Sequence, residues 1–217
     1  MLRKTPNKDT VFVDRIKKVA LEYIRQHSFA GHDQTHTIRV HKLSRMIGIK
    51  EKADLLILEV AALLHDIGRS YSEGDHAKKS AEIGEKLLKE CQLPEDKIPQ
   101  ILYAIRVHRF SRNRIPETLE ARILQDADRI DISGAIGIAM TFAYGGSKNT
   151  ELYDEKDPLA RNRALDDEKY VLDHFQTKLL RLPETIHTEM GKLLIQQRSK
   201  YLRSFMNQFV QEATLIE

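Results

Sequence analysis

The chain has 217 residues, 41% hydrophobic and 31% charged, and its 35 Lys and Arg against 32 Asp and Glu leave a net charge of +3 before nine histidines are considered. That length can bury a core without disulfides or a structural metal, and the near-cancelling charge excludes a disordered polyelectrolyte and argues against nucleic acid as the partner. No apolar run approaches the roughly 18 residues that span a bilayer, the single Cys91 excludes an internal disulfide framework, and the polar Met1 to Thr10 lacks a signal core, so the expectation is a cytoplasmic protein.

A hydrophobic period near 3.6 runs through most of the chain and predicts helices. Val13, Ile16, Val19, Ala20 and Ile24 make one stripe over Asp9 to Gln26, with Asp9 or Thr10 as cap. Ile38, Val40, Leu43, Met46 and Ile47 predict a second helix ending near Gly48. Ala53 to Ile67 is apolar almost all round apart from Glu59, as a central buried helix would be, and Gly68 stops it. Asp75 is placed to cap a fourth helix carrying Ala77, Ala81, Ile83, Leu87, Leu88 and Cys91. Pro94 and Pro116 stand where first-turn prolines belong, before Ile98 to Ile105 and Leu119 to Leu124. A small-residue helix over Gly134 to Gly146 follows, then a polar stretch, Ser147 to Asp166, that reads as a long loop or lid. Two last helices, about 167–182 and 186–211, are separated by Pro183. No alternating strand pattern is present. The predicted fold is all-α, one domain over 1–217 with a motif core at about 20–135 and C-terminal helices at about 167–214 packed on it.

Chemistry concentrates at His65-Asp66, which ends the most apolar helix. Adjacent residues of a helix point about 100° apart, so they converge on one ion most easily at a helix end. Burying both is costly unless they are paired or bind metal. His36 opens the second helix, and Asp126 and Asp128 sit inside an apolar helical pattern. Carboxylates at i and i+2 cannot face the same way, so one of the two can point at a shared site while the other supports it or faces solvent. Imidazole and carboxylate together suit Mn, Fe, Co, Ni or Zn better than a pure Mg or Ca site. Each residue also has a plainer reading: a hydrogen-bonded helix end for His65-Asp66, and surface ion pairs with Arg129 or Arg122 for the aspartates.

The order His36, His65-Asp66, Asp128 resembles the H…HD…D pattern of the HD-domain metal-dependent phosphohydrolases, with Ala127-Asp128-Arg129-Ile130 similar to that family's Ala-Asp-Arg-Leu motif. This similarity selects Asp128 over Asp126 as the ligand. The segments 32–36, 62–68, 126–131, 134–137 and 182–185 resemble the bacterial single-domain subgroup of YedJ-like and YpgQ-like proteins, so the likeness runs through nearly the whole chain. It implies an all-helical fold, one divalent cation held by His36, His65, Asp66 and Asp128, and hydrolysis of a phosphoester or phosphoanhydride. The expected substrate is a small phosphorylated metabolite, above all a nucleotide, with nucleoside triphosphate cleaved to monophosphate and pyrophosphate as one form of the reaction. Met140 departs from the subgroup's usual Arg, which puts phosphate affinity or substrate choice in question.

Around these ligands, Arg69 follows the His-Asp-Ile-Gly turn directly and is the best placed of the nearby cations Arg39, Arg69, Lys78, Lys79 and Arg129. His32 stands at i, i+4 to His36 and Asp33 beside it, either as a cap and a surface histidine or as supports for the ligand imidazole. His76 and His108 are candidates to complete the substrate pocket or hold a second ion. His27, His41, His174 and His187 read as surface, and Phe142, Tyr144 and Phe175 as core. The alternative reading is a catalytically weak HD-fold sensor that binds a nucleotide. The long last helix could also pair with a second chain as a homodimer.

Overall fold

A computed structural model describes residues 7–27, 34–71, 75–109 and 115–214. His32 and Asp33 lie outside the described residues. Nine α-helices occur among them: α1 (Lys8–Gln26), α2 (Gln34–Glu51), α3 (Leu55–Leu64), α4 (His76–Glu90), α5 (Ile98–Val107), α6 (Leu119–Asp131), α7 (Gly134–Ser147), α8 (Val171–Thr177) and α9 (Glu189–Thr214). Two 3-10 segments accompany them, Arg69–Tyr71 and Leu179–Thr185. There is no strand among the described residues, only an isolated bridge between Glu151 and Tyr170. The all-α expectation holds.

The chain divides into two compact units, Met1–Asp128 and Arg129–Glu217. In the first, α3 is the hub, touching α1, α2, α4 and α5. A helix packed on all sides must be apolar on all sides, and Leu56 to Leu64 are buried without exception. Each fully buried Leu, Ile or Val contributes roughly 1.5–3 kcal/mol. Asp54 starts the helix, its Oδ1 accepting from Leu56 N at 3.0 Å and Ile57 N at 3.2 Å. Lys97 Nζ at 2.6 Å from Oδ2 ties that cap to the entry of α5.

Glu59 is the exception inside this apolar helix, and α2 answers it. His41 Nε2 lies 2.9 Å from Glu59 Oε2, and Arg45 pairs with Oε1. Burial works against the charge on Glu59, but the hydrogen bonds from His41 and Arg45 prevail and hold its carboxyl below the usual range. The inward face of α2 is therefore half polar: His36, Thr37, His41 and Ser44 alternate with Val40 and Ile47. That explains why hydrophobicity placed Leu43 and Met46 inward while the structure leaves Met46 exposed. Gly48 does not stop α2; it packs against Leu55 and Leu58, and the helix runs to Glu51 before Lys52 turns left-handed at φ 61°.

Other boundaries shift for local reasons. Asn7 rather than Asp9 or Thr10 caps α1, whereas Asp75 caps α4 as expected. The first-turn proline of α5 is Pro99, not Pro94. The helix expected at 167–182 is split into α8 and a 3-10 segment that contains Pro183.

In the second unit, Phe142, Phe175, Phe205 and Phe209 form a ring cluster with centroids 5.7–6.0 Å apart. Tyr144, expected in the core, is exposed. Beyond α7, residues 148–166 are irregular, and their polar groups bond within the unit. Asp154 accepts the Lys156 and Asp157 amides, Asp157 accepts those of Arg161 and Asn162, and Arg163 clamps Asp173 at 2.5 and 2.8 Å.

Removing the buried acceptor that holds α2 on α3 should be costly. Glu59→Ala is expected to lower unfolding stability by about 1–3 kcal/mol in urea titrations, and Glu59→Gln, which keeps an acceptor for His41, by less.

Candidate metal centre

His65 is the C-terminal cap of α3 and still helical, with φ −58° and ψ −37°. Beyond it the chain tightens to i+3 hydrogen bonds, Ile67 N to Leu64 O, Arg69 N to Asp66 O and Tyr71 N to Gly68 O. This tighter winding lets the adjacent His65 and Asp66 face one point. The turn is clipped to α4, since Gly68 N donates to Ser80 Oγ at 2.9 Å. A Cβ at Gly68 would stand 2.5 Å from Ser80 N and 2.7 Å from the Lys79 carbonyl carbon. Gly68 is therefore required by a backbone-to-backbone approach, beyond ending the helix.

Four elements of the first unit converge on this turn. His36, fully buried on the first turn of α2, has its Nε2 3.2 Å from His65 Nε2. Asp66 Oδ2 lies 3.8 Å from both nitrogens, and Asp128 Oδ1, from α6, 3.5 and 3.8 Å from them. The other oxygen of Asp66 faces a second pair: His76 Nε2, from the start of α4, and His108 Nε2, at the end of α5, each at 3.4 Å. His36, His65 and Asp66 form one group able to hold a cation, and Asp66, His76 and His108 another.

The tautomers fit this role. His65 Nδ1 lies 2.8 Å from Ala62 O and His108 Nδ1 2.7 Å from Ile105 O. A carbonyl only accepts, so each Nδ1 carries the proton and Nε2 turns its lone pair toward the cluster in the neutral ring. Such an outer hydrogen bond is what orients a ligand imidazole. Burial pushes His65 down to about 4 and His76 likewise to about 4, which keeps both neutral and ready to ligate. His108 goes the other way: burial opposes its charge, but the hydrogen bond and charge of Asp66 raise it. Asp128 is held low, burial being outweighed by His65, His36 and His108.

The sequence-selected residues thus meet, apart from His32 and Asp33, which lie outside the described residues. Arg69 Nη1 is 3.6 Å from Asp66 Oδ2 and 3.4 Å from His76 Nε2. Of the other nearby cations, Arg129 bonds Thr185 O and His187, Lys79 pairs with Glu82, and Arg39 donates to Thr35. Asp126 is fully buried, so it is not the solvent-facing partner of Asp128. One of the histidines read as surface needs correcting: His41 is buried on Glu59. His174, bonded to Asp167, and His27, bonded to Tyr23 O, remain partly exposed. Pattern reading overlooked the supports: Ser80, and Gln125, whose Nε2 donates to Val107 O at 2.6 Å and fixes the residue before His108. It also overlooked Arg109, whose charge reaches His76. Polar residues at inward positions of apolar helices were the available signal.

The HD domain family profile matches residues 34–133, the stretch from the start of α2 to the end of α6 that supplies all six residues. YpgQ of Bacillus subtilis is 32% identical over 183 residues, covering 82% of this chain and 83% of YpgQ. The chain belongs to the HD domain family. The crystal structure of Bacillus subtilis YpgQ in complex with ADP matches with a TM-score of 0.77 at 29% identity, over 96% of this chain and 98% of that one. An HD-superfamily hydrolase from Bacillus thuringiensis matches with a TM-score of 0.75 at 31% identity, over 96% and 100%. The HD-domain resemblance read from the motifs is confirmed, in its YpgQ-like branch, and with it the general character of an HD-superfamily hydrolase.

Two measurements probe the centre. Gly68→Ala should force the turn away from α4 and reduce divalent-cation affinity about 10–100-fold in isothermal titration, the range seen when supports of metal ligands are lost. Cation-free protein should also lose thermal stability on acidification. His65 and His76 have folded pKa values below the unfolded 6.5, so their stabilisation is present above 6.5 and is lost as pH falls toward 4. His108, raised, acts above that window: its stabilisation is fully present below 6.5 and is lost as pH rises through its folded value. Below 6.5 His65 and His76 therefore make the melting temperature drop as pH falls toward 5, and His76→Gln should make that drop shallower.

Proposed function

We propose that the protein is a divalent-cation-dependent phosphohydrolase acting on a nucleotide. The observation that carries this is the convergence of His36, His65, Asp66 and Asp128 with their lone pairs on one buried point, beside a second imidazole pair and Arg69. Two imidazoles 3.2 Å apart and two carboxylates are a donor set for Mn, Fe, Co, Ni or Zn, with Mg less suited. A divalent cation held there would supply Lewis acidity, drawing charge from a phosphoryl oxygen and lowering the pKa of water toward about 7.

The chain's own groups account for the rest. Arg69, held against Asp66 Oδ2, presents guanidinium donors that match phosphate oxygens in a fixed fork. His108 Nε2 lies 3.4 Å from Asp66 Oδ1, which favours its protonated form against burial; when protonated it is placed to give a proton to the departing oxygen as water adds to phosphorus and the P–O bond breaks. His76, neutral and next to Arg69, positions the phosphate between the two. His32 and Asp33, one turn before His36 in sequence, are assigned to orienting its imidazole. ADP binding by the similar YpgQ supports a nucleotide as the substrate class. Met140, where the resemblance places Arg, favours a second reading, a nucleotide sensor with weak turnover.

Metal analysis of purified protein combined with a panel of nucleoside mono-, di- and triphosphates tests the reading. One cation per chain is expected, with turnover on at least one nucleotide. Asp66→Asn and His65→Ala should each reduce turnover about 100-fold or more while the fold persists. Metal-loaded protein that hydrolyses no phosphorylated compound would falsify it, and tight nucleotide binding without turnover would select the sensor. Two cations per chain would reassign His76 and His108 from substrate to metal.

A further inference from the structure

Outside the cluster around Asp66, three rings of the first unit lie together. Tyr23 and His27, from the last turn of α1 and its cap, are stacked at 4.6 Å with planes 27° apart. Tyr71, at the end of the 3-10 segment Arg69–Tyr71, is 5.2 Å from His27 and 6.2 Å from Tyr23. His27 Nδ1 meets Tyr23 O at 2.9 Å, and burial followed by the neighbouring Tyr71 hydroxyl raises the Tyr23 phenol to about 12. The group is thus tied at its polar edges, yet Tyr71 keeps 49% of its surface exposed.

We propose that Tyr71, backed by His27 and Tyr23, is the stacking surface for the base of the nucleotide substrate. The proposal rests on the nucleotide reading and goes beyond it to the part of the substrate that carries no charge. Placement is the first argument. Tyr71 is two residues from Arg69, ~4 Å along a 3-10 axis, and Arg69 touches Asp66. That separation puts Tyr71 within the length of a nucleotide from a phosphate held by Arg69. Chemistry is the second. Every base has a π-face, and an aromatic platform binds it without reading its edge. A protein partner would need a far larger apolar area than one half-exposed ring. Economy of order is the third: rings already locked to one another lose little freedom when a base settles on them.

The chain contains no tryptophan, so Tyr71→Trp introduces a single indole reporter. Titration with ADP should quench its emission saturably, and inorganic pyrophosphate should leave it unmoved. In kinetics, Tyr71→Ala should raise the ratio of KM for ATP to KM for tripolyphosphate about tenfold, within the range measured for a base–aromatic stack, and Tyr71→Phe should restore it. Equal responses to ADP and pyrophosphate, or an unchanged KM ratio in Tyr71→Ala, overturn the proposal while leaving the phosphohydrolase reading intact. No calorimetric binding of ADP to the metal-loaded wild-type protein overturns both.

Discussion

Four imidazoles surround one carboxylate, that of Asp66, with His36 and His65 at 3.8 Å from Oδ2 and His76 and His108 at 3.4 Å from Oδ1. The carboxylate is nearly buried at the end of the most apolar helix, a setting in which an isolated charge is expensive. The surrounding fold is arranged to make it tolerable. Each imidazole comes from a different helix or helix end, so the site exists only when α2, α3, α4 and α5 are all docked. Because α3 is the hub of these helices, forming the hydrophobic core and assembling the polar cluster are one event.

The same logic explains the polar residues that are not ligands. His41 and Arg45 neutralise Glu59 one layer away on the α2–α3 interface. Gln125 closes the end of α5, and Ser80 the turn after Asp66. None of these touches the proposed substrate. Each satisfies a buried donor or acceptor and fixes a backbone segment that carries a ligand, and a ligand displaced by a fraction of an ångström would serve the chemistry poorly.

Much of this was legible in the sequence, and what was not has a physical reason. Helix number and order followed from the 3.6-residue period, and the family followed from His36, His65-Asp66 and Asp128. Periodicity failed on α2, where the inward face is half polar and carries His36 and His41; a hydrophobic stripe cannot reveal a face whose job is to hold charge. It failed on Gly48 and Pro94, because glycine also serves close packing and proline also precedes helices without entering them. His41 and Ser80 went unread because a lone polar residue on a helix carries no sign of its partner until distant segments are brought together. The choice of Asp128 over Asp126 came from resemblance, and in the structure Asp128 is the one within 3.8 Å of both His36 and His65.

The turn from His65 to Tyr71 brings these strands of argument together. Within seven residues it supplies two candidate ligands, the glycine whose bare Cα lets α4 approach, the arginine beside Asp66 and the exposed ring at its end. The tight i+3 winding explains why they can share so short a segment, since consecutive groups point in distinct directions from one rigid stretch of backbone. Net charge sharpens the point. With +3 over 217 residues, the global field does little to gather an anionic substrate. For the proposed nucleotide substrate, attraction is then local, from the candidate cation site, Arg69 and Arg109, and its uncharged end needs a surface of its own. A chain with weak long-range steering depends on such short-range complementarity, and this turn concentrates it.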